Sequence, residues 1–295
     1  MQGLLLLDKP QGITSFSAVS AVKRAASEKR VGHTGTLDPM ATGVLPVLLG
    51  RATALSSLML DADKRYVARV RLGVLTDTDD ITGEVIEEKS VKLKKGDLEN
   101  ALKHFTGRIS QVPPMYSALK KDGVRLYALA RAGKTVDIPA RDIEVFEIKL
   151  LSDIDDNNEF EIETYVSKGT YIRALARDIG EYLGVGATLT SLRRTYASGF
   201  CISQCTPLEG LDSDNISQYL LNEEAAVSHL REINVTEKQG VRFCNGGQLA
   251  FERIHIENIA PNELFRVKYG AKMLGVGFAD YEQKQIGIKC IINYL

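Results

Sequence analysis

Hydrophobic and polar positions follow patterns along the chain that predict strands in several places. Residues 2–7 and 44–49 are short apolar runs, which are typical of buried strands. Residues 143–151 and 159–166 alternate between apolar and polar side chains and are separated by the turn-forming stretch D-I-D-D-N-N-E, so they predict a pair of adjacent strands. Residues 188–197 predict a further strand.

Residues 64–72 show the clearest alternation in the sequence. Tyr66 and every second residue after it are apolar, whereas Arg69 and Arg71 occupy the positions between them. Successive side chains of a strand point to opposite faces of a sheet, so the two arginines are predicted to lie on the face opposite Tyr66. An aromatic residue on the apolar face could belong to the core or could line a binding site.

Apolar residues spaced three and four apart predict helices over residues 14–26, 97–105 and 124–132. Phe16 is placed on the apolar face of the first of these helices, after Thr14 or Ser15 as the N-cap. Another helix is expected after Thr170, which is a plausible N-cap. Its first turn contains Tyr171 and Arg173, which are predicted to lie at the mouth of a site rather than in the core.

Beyond about residue 229 the pattern changes to short apolar stretches separated by glycine-rich turns. The pair Asn245-Gly246 is typical of a hairpin turn. These features predict a small β-barrel over residues 229–295 and a larger domain over residues 1–228.

Residues 31–46 read V-G-H-T-G-T-L-D-P-M-A-T-G-V-L-P, which places three glycines and a proline around a single carboxylate, Asp38. Glycine and proline at these positions predict a loop with one defined shape. A rigid loop beside a buried strand is a common place for a reactive side chain. Asp-Pro is also a common start of a turn, so spacing alone leaves both readings open. The polar stretch T-D-T-D-D-I-T-G at 76–83 is predicted to be a surface loop.

Composition narrows the class of protein. The 295 residues are 44% hydrophobic with a formal net charge of -1, which is ordinary for a water-soluble protein with a core. The four cysteines and four histidines lack the spacing of a disulfide scaffold or a metal site, so we expect reduced thiols and no metal. No segment resembles a signal peptide or a membrane span, and a cytoplasmic location is therefore expected.

The charge is distributed unevenly. Residues 103–141 contain eight lysines and arginines against two aspartates, a local excess of +6. Such a segment could face RNA, or it could be the solvated face of a helix. Tyr116 and Tyr127 lie among the basic residues, and cations with interleaved aromatics suit the phosphates and bases of RNA.

Three stretches of the sequence resemble the TruB-type family of tRNA pseudouridine-55 synthases. G-H-T-G-T-L-D-P-M-A-T-G matches the family pattern G-H-x-G-x-L-D-P-x-A-x-G without gaps, and K-G-T-Y-I-R and S-L-R-R are similar to two further motifs. The resemblance implies an α+β protein with a mixed, mainly antiparallel catalytic sheet and flanking helices. It also implies a thumb-like insert at about 106–141 and a C-terminal PUA-like RNA-binding module.

The resemblance further implies isomerisation of one uridine, position 55 in the TΨC loop of tRNA, to pseudouridine after the base is flipped out. Asp38 would be the catalytic carboxylate, Arg173 would pair with it, and Tyr66 would stack on the uracil with its hydroxyl near the sugar. Whether Asp38 bonds to the sugar or removes a proton beside it stays open.

The implied substrate-binding residues are spread along the chain. Tyr171 and Leu192 would close the pocket around the base, and His33 would fill the gap left in the RNA loop. Lys120 and Lys121, in the basic insert, would contact the tRNA backbone.

The expected partner is the TΨC stem-loop of tRNA, with no cofactor, no membrane, no obligatory protein partner and a monomeric state. Three alternatives remain. A guide-RNA-dependent synthase of the dyskerin type shares the motifs, although the insert favours stand-alone action. A magnesium-dependent phosphatase is suggested by T-G-T-L-D, but it would need aspartates where His33 and Thr34 stand. The third is an RNA-binding or RNA-remodelling protein without catalysis.

Overall fold

A mixed sheet forms the centre of the molecule. The computed structural model describes residues 1–295 apart from 95, 118, 122, 134, 135 and 255, and the side chains at 120, 121, 127 and 131 also lie outside the described part. The strands of the large sheet are β1 (Gly3–Lys9), β2 (Val31–His33), β3 (Thr42–Leu49), β4 (Lys64–Leu72), β7 (Gly107–Gln111), β10 (Arg141–Leu150), β11 (Glu159–Val166), β12 (Ala187–Ala197), β13 (Phe200–Cys201), β14 (Thr206–Pro207) and β15 (Leu220–Leu221).

The order along this sheet is β14-β1-β3-β12-β4-β11-β10-β7, and β2, β13 and β15 pair with β3, β12 and β1. The pairs β1–β14 and β3–β12 are parallel, and the remaining pairs are antiparallel. Two-stranded sheets are formed by β5 (Val74–Thr76) with β6 (Val85–Glu88) and by β8 (Lys120–Lys121) with β9 (Val124–Arg125). The strands predicted near 2–7, 44–49, 143–151, 159–166 and 188–197 are confirmed within one or two residues at most ends.

The helices lie beside the large sheet, in the insert and in the C-terminal part of the chain. The α-helices are α1 (Ser15–Ala25), α2 (Ser56–Leu60), α3 (Asp97–His104), α4 (Leu126–Arg131), α5 (Ile172–Tyr182) and α6 (Glu237–Cys244). Short 3-10 helices lie at Gly50–Leu55, Ile202–Gln204, Ile216–Tyr219, Glu223–Val227 and Phe251–Arg253. None of the helices in the described ranges is long and apolar enough to cross a membrane.

Helix α1 begins after Thr14, whose side chain accepts a hydrogen bond from the amide of Ser17, as the sequence predicts for an N-cap. Val19 and Val22 are buried against the sheet, but Phe16 is 75% exposed, so its predicted place on the apolar face is wrong. Ser15 takes the buried position instead, because its hydroxyl is engaged with the loop that follows β2.

The main core lies between the sheet and α1, α3 and α5. Val22 of α1, Leu98 of α3, and Leu175 and Ile179 of α5 belong to the same buried cluster as Val70 of β4. The sequence predicts Thr170 as the cap of α5, but the N-cap is Tyr171, without a side-chain cap. The Tyr171 amide instead donates to the side chain of Gln111 at 2.9 Å, which anchors the start of α5 to the end of β7.

A second sheet lies at the C-terminal end of the chain. Its order is β16-β18-β19-β20-β17, with β16 (Arg231–Asn234), β17 (Leu249–Ala250), β18 (Leu264–Tyr269), β19 (Lys272–Asp280) and β20 (Gln285–Ile291). Residues 237–244, for which the sequence predicts strand-like structure, form α6 because Thr236 and Gln239 make a reciprocal capping box. Asn245 ends this helix, so the predicted hairpin turn there is wrong.

An apolar cluster joins the two sheets. Leu4 and Leu48 of the large sheet share it with Met273, Val276 and Ile292 of the C-terminal part. The large sheet is therefore covered on its second face by the C-terminal sheet near β1 and β3. The insert leaves the large sheet after β7 and returns at β10. These two strands lie at the edge of the sheet that is farthest from β1 and β14.

Candidate active site

The loop between β2 and β3, residues 34–41, carries the carboxylate singled out in the sequence. Ser15 of α1 anchors this loop through two hydrogen bonds. The Ser15 hydroxyl accepts from the Leu37 amide at 2.8 Å and donates to the Leu37 carbonyl at 3.0 Å. Gly43 closes the loop with a φ of 106°, and a Cβ there would lie 2.2 Å from the carbonyl oxygen of Arg194. Only glycine allows the parallel strands β3 and β12 to approach this closely.

Two buried cations hold the backbone of this loop in place. The Arg194 guanidinium, 1% exposed, donates to the carbonyls of Val44 at 2.7 Å and Gly35 at 3.1 Å. Lys9, fully buried at the end of β1, donates to the carbonyl of Pro39 in the loop at 3.5 Å and to the carbonyls of Pro10 and Ile13 at 2.8 Å. Buried charges normally require such partners. The position of the loop is therefore fixed by Arg194 and Lys9, which are distant from it in the sequence.

Asp38 projects from this loop toward helix α5. Its carboxylate pairs side-on with the Arg173 guanidinium, in which Nε lies 2.9 Å from Oδ2 and Nη2 donates a hydrogen bond to Oδ1 at 3.3 Å. This planar fork fixes the orientation of the carboxylate. The Asp38 side chain is 35% exposed whereas that of Arg173 is 5% exposed, so one partner is accessible to a substrate and the other is sealed. The prediction that Arg173 lies at the mouth of the site is therefore wrong.

The remaining donors of Arg173 reach two other segments. Nη1 donates to the Thr78 carbonyl at 3.0 Å and lies 3.5 Å from Oδ2 of Asp80. Nη2 donates to the Tyr116 carbonyl at 2.8 Å. The guanidinium thus connects the loop of Asp38, the stretch 76–83 and the base of the insert.

Asp80 is a residue that the sequence analysis missed. The sequence predicts a surface loop over the stretch 76–83, but Asp80 is 4% exposed. Its Oδ1 accepts from the Thr78 hydroxyl and the Thr82 amide, both at 2.9 Å. The loop docks on β12 because the Ile81 amide donates to the Leu189 carbonyl at 2.9 Å. The repeated T-D-T-D-D pattern signals such a side-chain-capped turn, yet it does not reveal the burial.

The electrostatics of the site follow from burial and from these cations. Burial raises the pKa of the Asp38 carboxyl above 3.8, and Arg173 acts in the opposite direction. Burial likewise lowers the pKa of Lys9 to about 8, against the attraction of Asp38. Burial, with Arg194 adding to it, lowers the pKa of His33, so this imidazole is neutral at pH 7.

Tyr66 and Leu192 lie on one face of neighbouring strands. Leu192 of β12 is the register partner of Ala68 of β4, and Tyr66 is the partner of Arg194. Both Tyr66 and Leu192 are 7% exposed and belong to the same buried cluster as Leu37 of the Asp38 loop. The predicted alternation of β4 is confirmed, and it directs Tyr66 toward the side of the sheet that carries this loop.

Tyr171 and His33 lie at the margins of the site. Burial raises the pKa of the Tyr171 phenol, against a hydrogen bond with Ser117 and the charges of Arg141 and Arg173. His33 ends β2 just before the loop, and its buried Nδ1 has no hydrogen-bond partner among the residues that the structure describes. Lys120 and Lys121 form the two-residue strand β8, but their side chains fall outside the described part.

The structure therefore brings together an accessible carboxylate, a buried guanidinium and a wall formed by Tyr66 and Leu192. A carboxylate held in this way can act on an electron-poor carbon of a substrate. Within the described ranges, no three side chains of the metal-binding types come together as a metal site would require.

Comparison with known proteins defines the class first. Residues 23–172 match the model of the TruB family pseudouridylate synthase N-terminal domain, and residues 173–234 match that of the tRNA pseudouridylate synthase B C-terminal domain. The chain belongs to the TruB family of tRNA pseudouridine synthases. It is 42% identical to tRNA pseudouridine synthase B of Clostridium perfringens strain 13 over 95% of this chain and 96% of that protein. It is 45% identical to tRNA pseudouridine synthase B of Chromobacterium violaceum, over 99% of this chain and 95% of that protein.

Solved structures show the same fold. A structure of an H/ACA RNP bound to a substrate RNA containing 2'-deoxyuridine superposes with a TM-score of 0.75 at 24% identity, covering 99% of this chain and 85% of that one. A crystal structure of a Cbf5-Nop10-Gar1 complex superposes with a TM-score of 0.74 at 28% identity, covering 99% of this chain and 84% of that one. The α+β architecture is therefore that of this group of structures.

Proposed function

We propose that the protein isomerises the uridine at position 55, in the TΨC loop of tRNA, to pseudouridine. The observation that carries this proposal is the pairing of Asp38 with Arg173 on a rigid loop, in a chain of this family. In the reaction the bond from N1 of uracil to C1′ of the ribose breaks, and a bond from C5 to C1′ forms. The proton on C5 is lost and N1 gains one, so the overall change is an isomerisation.

Asp38 acts at the sugar as the glycosidic bond breaks. Burial raises the pKa of this carboxyl group, and the charge of Arg173 opposes the rise and so favours the ionised form. The fork from Arg173 also fixes the direction in which the free face of the carboxylate points. A carboxylate that is already oriented needs little reorganisation when the substrate arrives.

Tyr66, Tyr171 and Leu192 form the pocket for the flipped uracil. Tyr66 stacks on the base, and its hydroxyl lies near the sugar. Leu192 from β12 and Tyr171 from the start of α5 close the pocket around the base. His33, which is neutral because burial lowers its pKa, occupies the place of the flipped base in the RNA loop.

Two further parts of the chain bind the remainder of the tRNA. The basic insert at about 106–141, including Lys120 and Lys121, is the thumb that contacts the RNA backbone. Residues 229–295 form a small PUA-like β-barrel module that adds to RNA binding, beside a catalytic domain of residues 1–228. The five-stranded sheet with its own apolar core supports such a separate module.

The enzyme acts as a stand-alone monomer in the cytoplasm and needs no guide RNA. The alternative, guide-dependent action, is favoured by the likeness to the Cbf5-Nop10-Gar1 complex. Nearly full-length identity to proteins named tRNA pseudouridine synthase B argues for the stand-alone form.

The purified protein should be incubated with unmodified tRNA, and pseudouridine should be mapped at nucleotide resolution. We expect modification at the T-loop uridine alone, without added protein or RNA. A transcript with cytidine at that position should remain unmodified. No pseudouridine in the tRNA would refute the proposal, and modification only after addition of a guide RNA would establish the alternative.

A further inference from the structure

A second arginine follows the first by one helical turn on α5. Residues four apart on a helix lie on the same face, so Arg177 points in the same direction as Arg173. Its Nη1 lies 3.0 Å from Oδ2 of Asp79, and its Nη2 donates to the Val112 carbonyl at 2.9 Å. The same guanidinium donates two hydrogen bonds to Oδ1 of the neighbouring Asp178, from Nε at 3.0 Å and from Nη2 at 2.8 Å. The whole group is largely shielded from solvent.

Asp79 is held in an unusual backbone conformation. Its φ is 60°, in the left-handed region that residues other than glycine adopt rarely and at some energetic cost. Its carbonyl accepts from the Leu189 amide of β12 at 3.1 Å, and its carboxylate faces Arg177. The ion pair therefore helps to maintain the turn that places the next residue, Asp80, beside Arg173.

The two arginines connect the same pair of segments. Arg173 contacts the Thr78 carbonyl and the Tyr116 carbonyl, whereas Arg177 contacts Asp79 and the Val112 carbonyl. The first member of each pair lies in the stretch 76–83, and the second lies at the base of the insert. The guanidinium groups thus join both segments at two points one helical turn apart.

An open cavity lies beside Arg177, between the stretch 76–83 and both ends of the insert. Val112, Pro113 and Met115 line it on the outgoing side, and Val136 and Ile138 line it on the returning side. Pro113 and Pro114 are nevertheless buried, so packing and the polar contacts of Arg177 together fix the base of the insert here. A guanidinium with two fixed acceptors is well suited to this task, because its planar fork is rigid.

We infer that Arg177 is a positioning residue, which couples the place of the RNA-binding insert to the geometry of Arg173 and Asp38. A shift of the base of the insert displaces the carbonyl groups of Tyr116 and Val112 together. Arg173 donates to the first and Arg177 to the second, so both guanidinium groups are displaced with them. The inference deepens the proposed isomerisation and rests on it. Arg177 itself touches no reacting atom. Its contribution is to hold Arg173 in the orientation that the Asp38 carboxylate requires.

The test is the rate of pseudouridine formation in a single turnover, at enzyme concentrations that saturate the tRNA. Arg177→Met keeps the length of the side chain but removes the fork, and we expect a rate about tenfold lower, since small misplacements of catalytic groups are costly. Arg177→Lys retains the charge and should lose about threefold, because an ammonium cannot reproduce the planar fork. The tRNA dissociation constant should stay close to that of the wild type, and the melting temperature should fall only modestly, because Asp79 and Asp178 lose a partner while the fold remains.

Arg69→Met is the matched control. Arg69 also pairs with two carboxylates, Asp155 and Glu159, but on the sheet face opposite Tyr66. Its replacement removes the same charge and should leave the single-turnover rate unchanged.

A wild-type rate in Arg177→Met at saturation would overturn the inference, as would a defect that disappears once the tRNA is saturated. If Arg177→Met does not fold, Arg177→Lys decides, and a folded lysine variant with full rate would overturn it. These results differ from a failure of the proposed function itself, in which the wild-type protein would form no pseudouridine.

Discussion

Arg173 and Asp38 meet side-on, with Nε of the guanidinium 2.9 Å from one carboxylate oxygen and Nη2 3.3 Å from the other. The arginine is sealed inside the protein by two backbone carbonyls and Asp80, while the aspartate side chain stays 35% exposed. The pair therefore links a buried arginine, whose position is fixed, to an aspartate that a substrate can reach.

Asp38→Asn should abolish pseudouridine formation, because the amide has almost the same shape but no charge. The fold should persist, since the asparagine side chain can still accept a hydrogen bond from Arg173 and the other partners of the guanidinium remain. Pseudouridine mapping, tRNA binding and thermal melting measure the three properties separately. Asp155→Asn, on the far face of the sheet, should remain fully active. Turnover near the wild-type rate in the Asp38 variant would exclude this residue from the mechanism.

The rate should rise with pH through the pKa of Asp38, because the ionised form is required. Burial raises this pKa, so the acidic limb should lie above the ordinary value of 3.8. Arg173→Lys should move the limb to still higher pH, because a lysine opposes the effect of burial less well. Single-turnover rates at a series of pH values would show the shift, and an unmoved limb would contradict the assigned role of Arg173.

The same pKa has a consequence for stability. The folded state binds the Asp38 proton more tightly than the unfolded state, so the contribution of this group to stability is greatest at low pH. That contribution is lost as the pH rises through the folded-state pKa.

Tyr66→Phe should bind tRNA nearly as well as the wild type but react far more slowly. Stacking needs only the ring and is worth about 1–3 kcal/mol per base. A positioned hydroxyl that transfers or orients a proton typically contributes about 10²–10⁴-fold in rate. Tyr66→Leu should lose both turnover and affinity. Full single-turnover activity of the Phe variant would disprove a role for the hydroxyl.

Thermal melting of the Tyr66→Leu variant separates the binding role from a role in the core. Tyr66 is 7% exposed and shares a cluster with Leu37, so some loss of stability is expected. A collapse of the melting temperature that accounts for the lost activity would favour the core role.

Neutralising three basic residues of the insert together should weaken tRNA binding and flatten its dependence on salt. These residues are Lys120, Lys121 and Arg125. Each lost phosphate contact removes roughly 0.7–0.9 from the slope of log affinity against log salt. Titrations at several salt concentrations measure the slope, and an equal change of charge in the segment 89–94 is the control. If affinity and slope both stay constant, the insert does not contact phosphates through these residues.

The strands are predictable from the sequence where one face of the sheet is buried. The alternation around Tyr66 is imposed by the geometry of a strand, so it is readable locally. The helix at 237–244 was missed because its signal is the short cap of Thr236 and Gln239, whereas the glycines around it suggest turns. Phe16 was misplaced because periodicity does not show which of two overlapping faces of a short helix is buried.

Arg194, Lys9 and Asp80 were missed for a different reason. Charged residues are usually exposed, and nothing in their immediate neighbours indicates that these three are buried. Their burial follows from contacts that are distant in sequence, such as Arg194 with Gly35. The S-L-R-R motif is noticeable through the family resemblance, but the role of Arg194 and Lys9 as supports of the Asp38 loop requires the three-dimensional structure.

The strand order also fixes when the site can form during synthesis. Strand β12 separates β3 from β4, and its Arg194 holds the loop of Asp38. Strand β1 in turn pairs with Leu220 and Leu221. A nascent chain that has emerged only as far as residue 172 contains Asp38 and Tyr66 but neither Arg173 nor the strand between them. The ribosome must therefore release about two thirds of the chain, through Arg194, before these residues can be brought together, and pairings so distant in sequence are slow to form.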